Sequence, residues 1–367
     1  MYLEISQDLI DNLSTNDSEN LTNLLDSYKY GNHILALEKR SLIHKLNDYF
    51  SKNEDKKNIL NHIYTNHQDN KSLQKQLKTY IQIISSSSAF SETILDNDVR
   101  VISLPLSYFD NQLNKASLIT ENTSDGKFYI GLSDRMKRDD KFGIPKNVLF
   151  NCSNDSGGGS QISEVFKNKV TIENRLAFSI CDSDKKTKKS CHGDTAKTLQ
   201  STFEKLKKQQ KACAILIPNV REKENLVLPS CYCTHSNFKH NEVLSELSKL
   251  ENELIFSEQI FFLKLSGDCP HTLNFITETL NLETSYSEYK IGKNDLALLA
   301  KDIIYTEDYL KTIHENFKKT KDNKRAYLKE HSAFFSNLPS YLFKEYKDIA
   351  QIFLDWTCSY TIPRIAS

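Results

Sequence analysis

Pairs of acidic residues follow three apolar segments in the middle of the chain. Within each pair the acids are separated by one or three residues, and the six are Glu121, Asp125, Asp182, Asp184, Glu222 and Glu224. Carboxylates gathered together repel unless a cation sits among them, and hard oxygen ligands favour Mg²⁺ or Mn²⁺ over zinc. Two such ions would suit in-line displacement at a phosphodiester, one activating water and the other stabilising the leaving oxygen.

The apolar segments before these acids read as strands of one parallel sheet. From about residue 113, short β-branched or apolar runs alternate with helical stretches, which is typical of βαβ units. The predicted strands span residues 116–120, 147–152, 176–181 and 212–217, and the predicted helices span 126–136, 160–167 and 195–210. Ligands of such sheets bind beyond the carboxyl ends of the strands, where the acid pairs should therefore meet.

Each acid pair taken alone has a simpler explanation, because acids commonly cap turns and helix N-termini. Three pairs after strands of one sheet favour the metal site. The glycine run at 157–159 is also open to two interpretations: its backbone amides could approach a phosphate at a helix N-terminus, or it could simply form a turn.

Helical patterns flank this central segment on both sides. Apolar residues recur three and four apart around Leu21 to Tyr28, Leu35 to Phe50 and Leu73 to Ile84, and again after residue 236 around Val243, Leu296 and Tyr341; such periodicity predicts amphipathic helices. We therefore predict a helical region over 1–112, an α/β domain over 113–235 and a helical region over 236–367. No repeat period is visible.

A run of lysines begins one residue after Asp184. Residues 185–211 contain nine lysines against two acids, and Lys185, Lys186, Lys188 and Lys189 lie nearest the predicted metal site. A segment with this charge would attract a phosphate backbone and make binding salt-dependent. Lysine runs are equally often solvated surfaces. The stretch at 318–325 is a second basic segment with the same two interpretations.

The motifs together resemble a Toprim domain. They are Glu121-Asn-Thr-Ser-Asp125, the glycine run 157–159, and Asp182-Ser-Asp184. With the later Arg-Glu-Lys-Glu-Asn segment at 221–225, they are most similar to nucleases of the overcoming-lysogenization-defect (OLD) type and related anti-phage effectors. The resemblance covers about residues 113 to 235.

The resemblance implies roles for individual residues. Glu121, Asp182 and Asp184 would be catalytic metal ligands, while Asp125 and one of Glu222 or Glu224 would complete a second metal position. The basic residue that the family places near the scissile phosphate is harder to locate. Lys264, in the segment Phe-Phe-Leu-Lys-Leu-Ser-Gly at 261–267, is the candidate, with an ordinary surface lysine as the alternative.

Two departures from the family limit the activity that can be expected. OLD-type nucleases carry an amino-terminal ATPase, whereas this chain has no Gly-x-x-x-x-Gly-Lys-Ser/Thr loop, so any ATPase would be a separate subunit. Toprim domains also occur in topoisomerases and primases, which need further large domains. Hydrolysis is the expectation.

The cysteines offer a rival site. Cys231, Cys233 and His235, followed later in the chain by Cys269 and His271, supply enough soft ligands for tetrahedral zinc. Cys-x-Cys on a strand would point both thiols to one face, although buried free thiols explain the same residues. Cys191 and His192 are discounted as a nucleophile pair because adjacent residues rarely face each other.

Composition bounds the environment and the partners. The 367 residues are 38% hydrophobic, enough for a substantial core, and 48 basic residues balance 48 acidic ones. The first residues lack a basic n-region, and no apolar run approaches the roughly 18 residues needed to span a bilayer, so we expect no membrane partner. Eight irregularly spaced cysteines are typical of reduced thiols in a cytoplasm.

Two functions remain open. The first is a divalent-metal-dependent nuclease acting on DNA or RNA, implied by the resemblance to be a bacterial anti-phage effector. The alternative is a non-catalytic subunit that binds nucleic acid or an ATPase through its lysines, with the acids as turn formers. The helical flanks could support a homodimer or dock an ATPase.

Overall fold

Two main sheets, a two-stranded ribbon, thirteen α-helices and several short 3₁₀ helices form the regular structure of the residues that the computed structural model describes. These are residues 1–109, 114–233, 241–253, 257–265, 269–280, 282 and 338–360. The strands are β1 Tyr2–Ile5, β2 Ile34–Leu37, β3 Thr79–Ile84, β4 Ser91–Ile94, β5 Arg100–Pro105, β6 Ala116–Thr120, β7 Leu149–Phe150, β8 Cys152–Ser156, β9 Ala177–Ile180, β10 Cys213–Leu216 and β11 Cys358–Ser359. The helices are α1 Gln7–Asp11, α2 Ser18–Lys29, α3 Ile43–Tyr49, α4 Glu54–Thr65, α5 His67–Gln74, α6 Thr123–Met136, α7 Ile162–Thr171, α8 Asp194–Lys208, α9 Pro229–Cys233, α10 Glu242–Leu250, α11 Ser257–Ile260, α12 Pro270–Thr279 and α13 Ser340–Thr357. The short pair β7 and β11 forms a separate antiparallel ribbon.

The amino-terminal region is α/β, so the prediction of an all-helical segment over 1–112 is wrong. Its sheet has the order β2-β1-β3-β5-β4, parallel except for the antiparallel edge strand β4. The amphipathic pattern from Leu21 to Tyr28 does form α2. Leu35 lies in β2 and Ile81 in β3, because strands buried on both faces are short apolar runs that periodicity cannot distinguish from buried helix.

The second sheet is parallel, as predicted, with the order β10-β9-β6-β8. Three of its strands lie where the sequence places them, and β6 matches the predicted residues 116–120. The strand predicted over 147–152 is displaced: the sheet uses β8, whereas Leu149 and Phe150 pair with β11. The apolar Leu149 and Phe150 suggested the strand, but β8 is a polar edge strand, and such strands carry little hydrophobic signal.

Helices cover both faces of this second sheet. The helix α6 packs against α13 on one face, and α7 and α8 pack together on the other. Ile162, Phe166 and Leu199, from α7 and α8, are fully buried in a separate apolar cluster beneath the sheet. This is the three-layer arrangement of an α/β domain with parallel strands.

The carboxy-terminal helix α13 connects the two sheets. The apolar pattern around Tyr341 and Ile349 predicts a helix, and the structure confirms it. At one end the Asp355 Oδ1 accepts the backbone N–H of Lys78 at 2.9 Å, and at the other the Glu345 Oε2 accepts the N–H of Asn219 at 2.7 Å. The predicted helix around Leu296 and the basic stretch 318–325 lie outside the described residues. Among the described helices, none is long and apolar enough to cross a membrane.

Asp355 is expected to make the stability of the fold pH-dependent. Its burial raises the pKa of the carboxyl group to about 7, although the hydrogen bonds from Gln351 and from the backbone of Lys78 act to lower it. Because the folded state binds this proton more tightly than the unfolded state, stability is lost as pH rises from the ordinary carboxyl range through about 7. Asp355→Asn should therefore gain unfolding free energy relative to the wild type between pH 5 and pH 8.

Urea denaturation at the two pH values measures this difference. Asp348→Asn, a partly exposed position on the same helix, is the matched control. An unfolding free energy of Asp355→Asn that keeps a constant offset from the wild type at both pH values would show that Asp355 does not titrate in this range.

Candidate metal centre

The predicted acids converge where two crossovers leave the parallel sheet in opposite directions. The neighbours β6 and β9 lead to β8 on one side and to β10 on the other, which makes the gap between them the topological switch point. Crevices at such points are the usual ligand sites of open α/β sheets. Glu121 and Asp125 follow β6, and Asp182 and Asp184 follow β9.

Lys223 lies among these acids and was not predicted from the sequence. Its Nζ is 2.9 Å from the Asp125 Oδ1 and 2.9 Å from the Glu224 Oε1. Its backbone N–H donates to the Asp182 Oδ1 at 2.9 Å. The segment after β10 thus places one ammonium group against acids that follow β6 and β10, and the pKa of Lys223 is raised because these carboxylates outweigh the effect of burial.

Asp125 also caps the helix that begins beside the site. Its Oδ2 accepts the backbone N–H of Asn122 at 3.2 Å and the Asn122 side-chain amide at 2.7 Å, while the Asn122 side chain accepts from the N–H of Asp125. This capping box satisfies the amides that the first turn of α6 leaves free. Asp125 therefore does cap a helix, as the simpler explanation of this acid expects. The capping uses its Oδ2, and its Oδ1 contacts Lys223.

Uncompensated negative charge remains in the cluster. Desolvation, followed by repulsion from Glu224, raises the pKa of Asp182 well above its usual range despite the nearby Lys223. Desolvation and then the charges of Asp125 and Asp184 raise the pKa of Glu121. Both shifts mean that the charged carboxylates are disfavoured as they stand, and a bound cation would relieve this.

Asp184 is held in an unusual backbone conformation. Its φ of 52° lies in the left-handed region, which favours glycine, and its N–H donates to the Arg221 carbonyl at 2.9 Å. Gly193 lies against it: a Cβ at Gly193 would be 2.5 Å from the Asp184 Cβ. The turn carrying Asp184 therefore requires glycine at residue 193.

Gly193→Ala is expected to destabilise the protein through Asp184. Because the clash is with the Cβ rather than with a flexible tip, the Asp184 backbone must move, at a cost of about 1–3 kcal/mol in unfolding free energy. In an Asp184→Gly background the clash is absent, so the same change should cost little. A double-mutant cycle by urea denaturation measures the coupling, and equal losses in both backgrounds would contradict the explanation.

The glycine run 157–159 serves as a turn that supports the end of β6. The Gly157 N–H donates to the Thr120 carbonyl at 2.6 Å, and the Gly159 N–H donates to the Glu121 carbonyl at 3.0 Å. Two of the three amides are thus engaged by the protein backbone. A Cβ at Gly157 would lie 2.8 Å from the Ile162 Cα, so this glycine permits close packing of α7.

Lys264 lies at the margin of the cluster, beside Glu222. Its Nζ is 3.5 Å from the Glu222 Oε1, and its backbone N–H donates to the Thr272 hydroxyl at 2.7 Å. Glu222 is also the N-cap of the 3₁₀ helix Lys223–Leu226, in a capping box with Asn225. The structure brings all six predicted acids and Lys264 to one end of the sheet.

The helix α13 holds the segment that carries Lys223. The Tyr341 hydroxyl donates to the Asn219 carbonyl, and the Tyr346 hydroxyl donates to the Leu226 carbonyl. These bonds, with that of Glu345 to the Asn219 N–H, fix both ends of residues 219–226. The carboxy-terminal region therefore contributes to the geometry of the site.

The lysine run forms an ordered loop beside the cluster. Lys185 donates to the Asn219 Oδ1 at 2.9 Å, and Lys188 lies 2.7 Å from the Glu258 Oε1, while Lys186 and Lys189 are exposed. A cleft of about 450 Å³ lies between this loop and residues 258–263 and 271–275, with Phe262, Leu263, His271 and Phe275 in its lining. Three lysines of the run therefore line a cleft of their own, and none of the six predicted acids lies in its lining.

The strand assumed for the alternative zinc site is wrong. Cys231 and Cys233 lie in the helix α9, where positions two apart point to different sides. Burial, followed by repulsion from Glu251, raises the pKa of Cys231 to about 11, which disfavours the thiolate that zinc binds. Cys269 instead accepts from the Arg221 guanidinium at 3.3 Å, and His235 lies outside the described residues.

The donor chemistry of the cluster fits a hard divalent cation, since every acidic side chain offers carboxylate oxygens. Desolvation and then neighbouring negative charges raise the pKa of Glu121 and of Asp182, and a bound cation would offset the repulsion. Within the described ranges, however, no three acidic, histidine or cysteine side chains are already placed at metal-binding distances from a common point. Binding would require the carboxylates to close on the ion.

Comparison with known proteins found no match to this chain among family models, curated proteins or solved structures.

Proposed function

We propose that the chain is a divalent-metal-dependent nuclease with a Toprim-type centre. The observation that carries the proposal is the meeting of three acid pairs, each from a segment after a parallel strand, at the switch point between β6 and β9. Carboxyl groups whose pKa values are raised by desolvation and by neighbouring negative charges, as at Glu121 and Asp182, cluster at functional sites. The lysine loop beside Asp184 offers the complementary charge for a polyanionic substrate.

Glu121, Asp182 and Asp184 would hold Mg²⁺ or Mn²⁺. The ion would supply activation of water and stabilisation of charge on the phosphate oxygens. The chain itself would position that ion through β6 and β9, and the Lys264 ammonium, beside Glu222, would lie where it can bind a phosphate oxygen. Lys186 and Lys189 would hold the flanking backbone.

Cleavage assays test this function directly. Supercoiled plasmid, single-stranded DNA and tRNA are incubated with the protein in millimolar Mg²⁺ or Mn²⁺, with EDTA as control. We expect at least one substrate to be cut in a reaction that EDTA stops. No cleavage of any of the three, or cleavage that persists in EDTA, would count against the proposal.

One observation favours a non-catalytic subunit instead. Lys223 already neutralises part of the acidic cluster, and the carboxylates are not preassembled around a common point within the described residues. In that case the lysine loop would bind nucleic acid without metal uptake. Mn²⁺ titration separates the two functions. Only the nuclease requires the chain to bind the ion, and Asp184→Asn should then lower the affinity for Mn²⁺.

The biological setting is a further proposal, based on the motif resemblance to OLD-type nucleases. It is an effector role in bacterial anti-phage defence, with any ATPase supplied by a separate subunit. Co-purification of a nucleotide-hydrolysing partner with the tagged chain from its host would test the second part.

A further inference from the structure

The position expected for a second metal ion is occupied by a side chain of the protein itself. The resemblance assigns Asp125 and one of Glu222 or Glu224 to that position, and Asp125 and Glu224 both contact the Lys223 Nζ at 2.9 Å. Asp125 has its other oxygen engaged in the capping box of α6. Neither of its oxygens is therefore available to a metal ion without breaking an existing contact.

Lys223 is fixed rather than loosely placed. Its N–H donates to Asp182, it begins a capped 3₁₀ helix, and α13 holds both ends of the surrounding segment. Its two acidic partners are 6% and 3% exposed, so water screens these contacts little. An ammonium group held in this way is a built-in cation.

We propose that Lys223 takes the place of the second metal ion, so that this chain binds one divalent cation, between the segments of Glu121 and Asp182–Asp184. The inference rests on the proposed metal-dependent function and deepens it. An ammonium ion carries one charge where a divalent ion carries two, which leaves net negative charge for a single metal ion to neutralise. The two-metal mechanism expected from the sequence becomes a mechanism with one metal ion and one lysine.

Counting bound Mn²⁺ by equilibrium dialysis tests this assignment. The wild type should bind one ion per chain. Lys223→Met, which keeps the aliphatic stem and removes the charge, should bind two, whereas Lys223→Arg should bind one. Lys167→Met, at an exposed lysine of α7, is the matched control and should also bind one.

Thermal unfolding with and without Mn²⁺ provides a second readout. Lys223→Met should melt at a lower temperature than the wild type without metal, because its carboxylates repel, and should recover more than the wild type when Mn²⁺ is added. Should Lys223→Met fail to fold even with Mn²⁺, Lys223→Gln replaces it in the same dialysis experiment.

The outcomes separate the inference from the function on which it rests. One ion in the wild type and two in Lys223→Met support it, whereas no ion in the wild type and one in the variant contradict it. Two ions in both proteins, or one in both, overturn the role of Lys223 and leave the metal site intact. No bound ion in either overturns the metal site and the inference together.

Discussion

Asp182→Asn is expected to lower metal-dependent nucleic-acid cleavage by about 10³-fold, because a metal ion contributes several kcal/mol of charge stabilisation and each 1.4 kcal/mol is tenfold in rate. The asparagine Oδ1 can still accept the Lys223 N–H, so the fold should persist. Initial cleavage rates in Mn²⁺ measure the effect. Asp194→Asn, an exposed acid at the start of α8, is the matched control and should cleave at the wild-type rate.

The same substitution should stabilise the protein when no metal is present. Desolvation and the charge of Glu224 raise the pKa of Asp182, so the wild type loses stability as pH rises from the ordinary carboxyl range through the raised value. Asparagine has no charge to lose. A metal-free Asp182→Asn protein that unfolds more readily than the wild type at neutral pH would argue that Asp182 is structural rather than a strained ligand.

Replacing Lys186, Lys188 and Lys189 with alanine is expected to weaken nucleic-acid binding at every sequence tested. If the three ammonium groups each neutralise one duplex phosphate, the slope of log affinity against log salt should become shallower by about 2 to 3. Fluorescence anisotropy at several salt concentrations, in EDTA to prevent cleavage, measures both quantities.

The control for this experiment removes the same charge elsewhere. Lys39, Lys52 and Lys75 are exposed lysines of the amino-terminal region. Their triple alanine variant should keep the wild-type slope. Equal slopes in both triple variants and the wild type would mean that the loop after Asp184 does not contact the backbone and that its lysines are a solvated surface.

The second sheet could be predicted because its chemistry and its strands reinforce each other in sequence. Buried β-branched runs such as 116–120 end in acids, and the alternation with helices fixes a parallel arrangement. The strand β8 was misplaced because an edge strand of polar residues carries almost no apolar signal. In the amino-terminal region the spacing of apolar residues predicted helices where β2 and β3 lie. Both strands are apolar on both faces, so their sequences do not show the alternation typical of a strand.

The acids of the site could be predicted from their positions after strands, but Lys223 could not. A lysine between two glutamates in an exposed-looking turn is ordinary in sequence. Only the tertiary fold shows that residues 219–226 lie against the acids that follow β6 and β9. Hydrogen bonds from α13 fix both ends of this segment. The signal that could have suggested it is the gathering of three acid pairs after strands of one sheet, because neighbouring carboxylates favour a cation among them.

The location of Mn²⁺ in crystals soaked with the ion tests whether the acidic cluster is a metal centre. Anomalous diffraction places the ion independently of any assumption about activity. We expect an anomalous peak within coordination distance of the Glu121, Asp182 and Asp184 carboxylates, with the Lys223 ammonium still beside Asp125. No peak in this cluster at millimolar Mn²⁺ would contradict a metal-dependent centre at the switch point of the sheet.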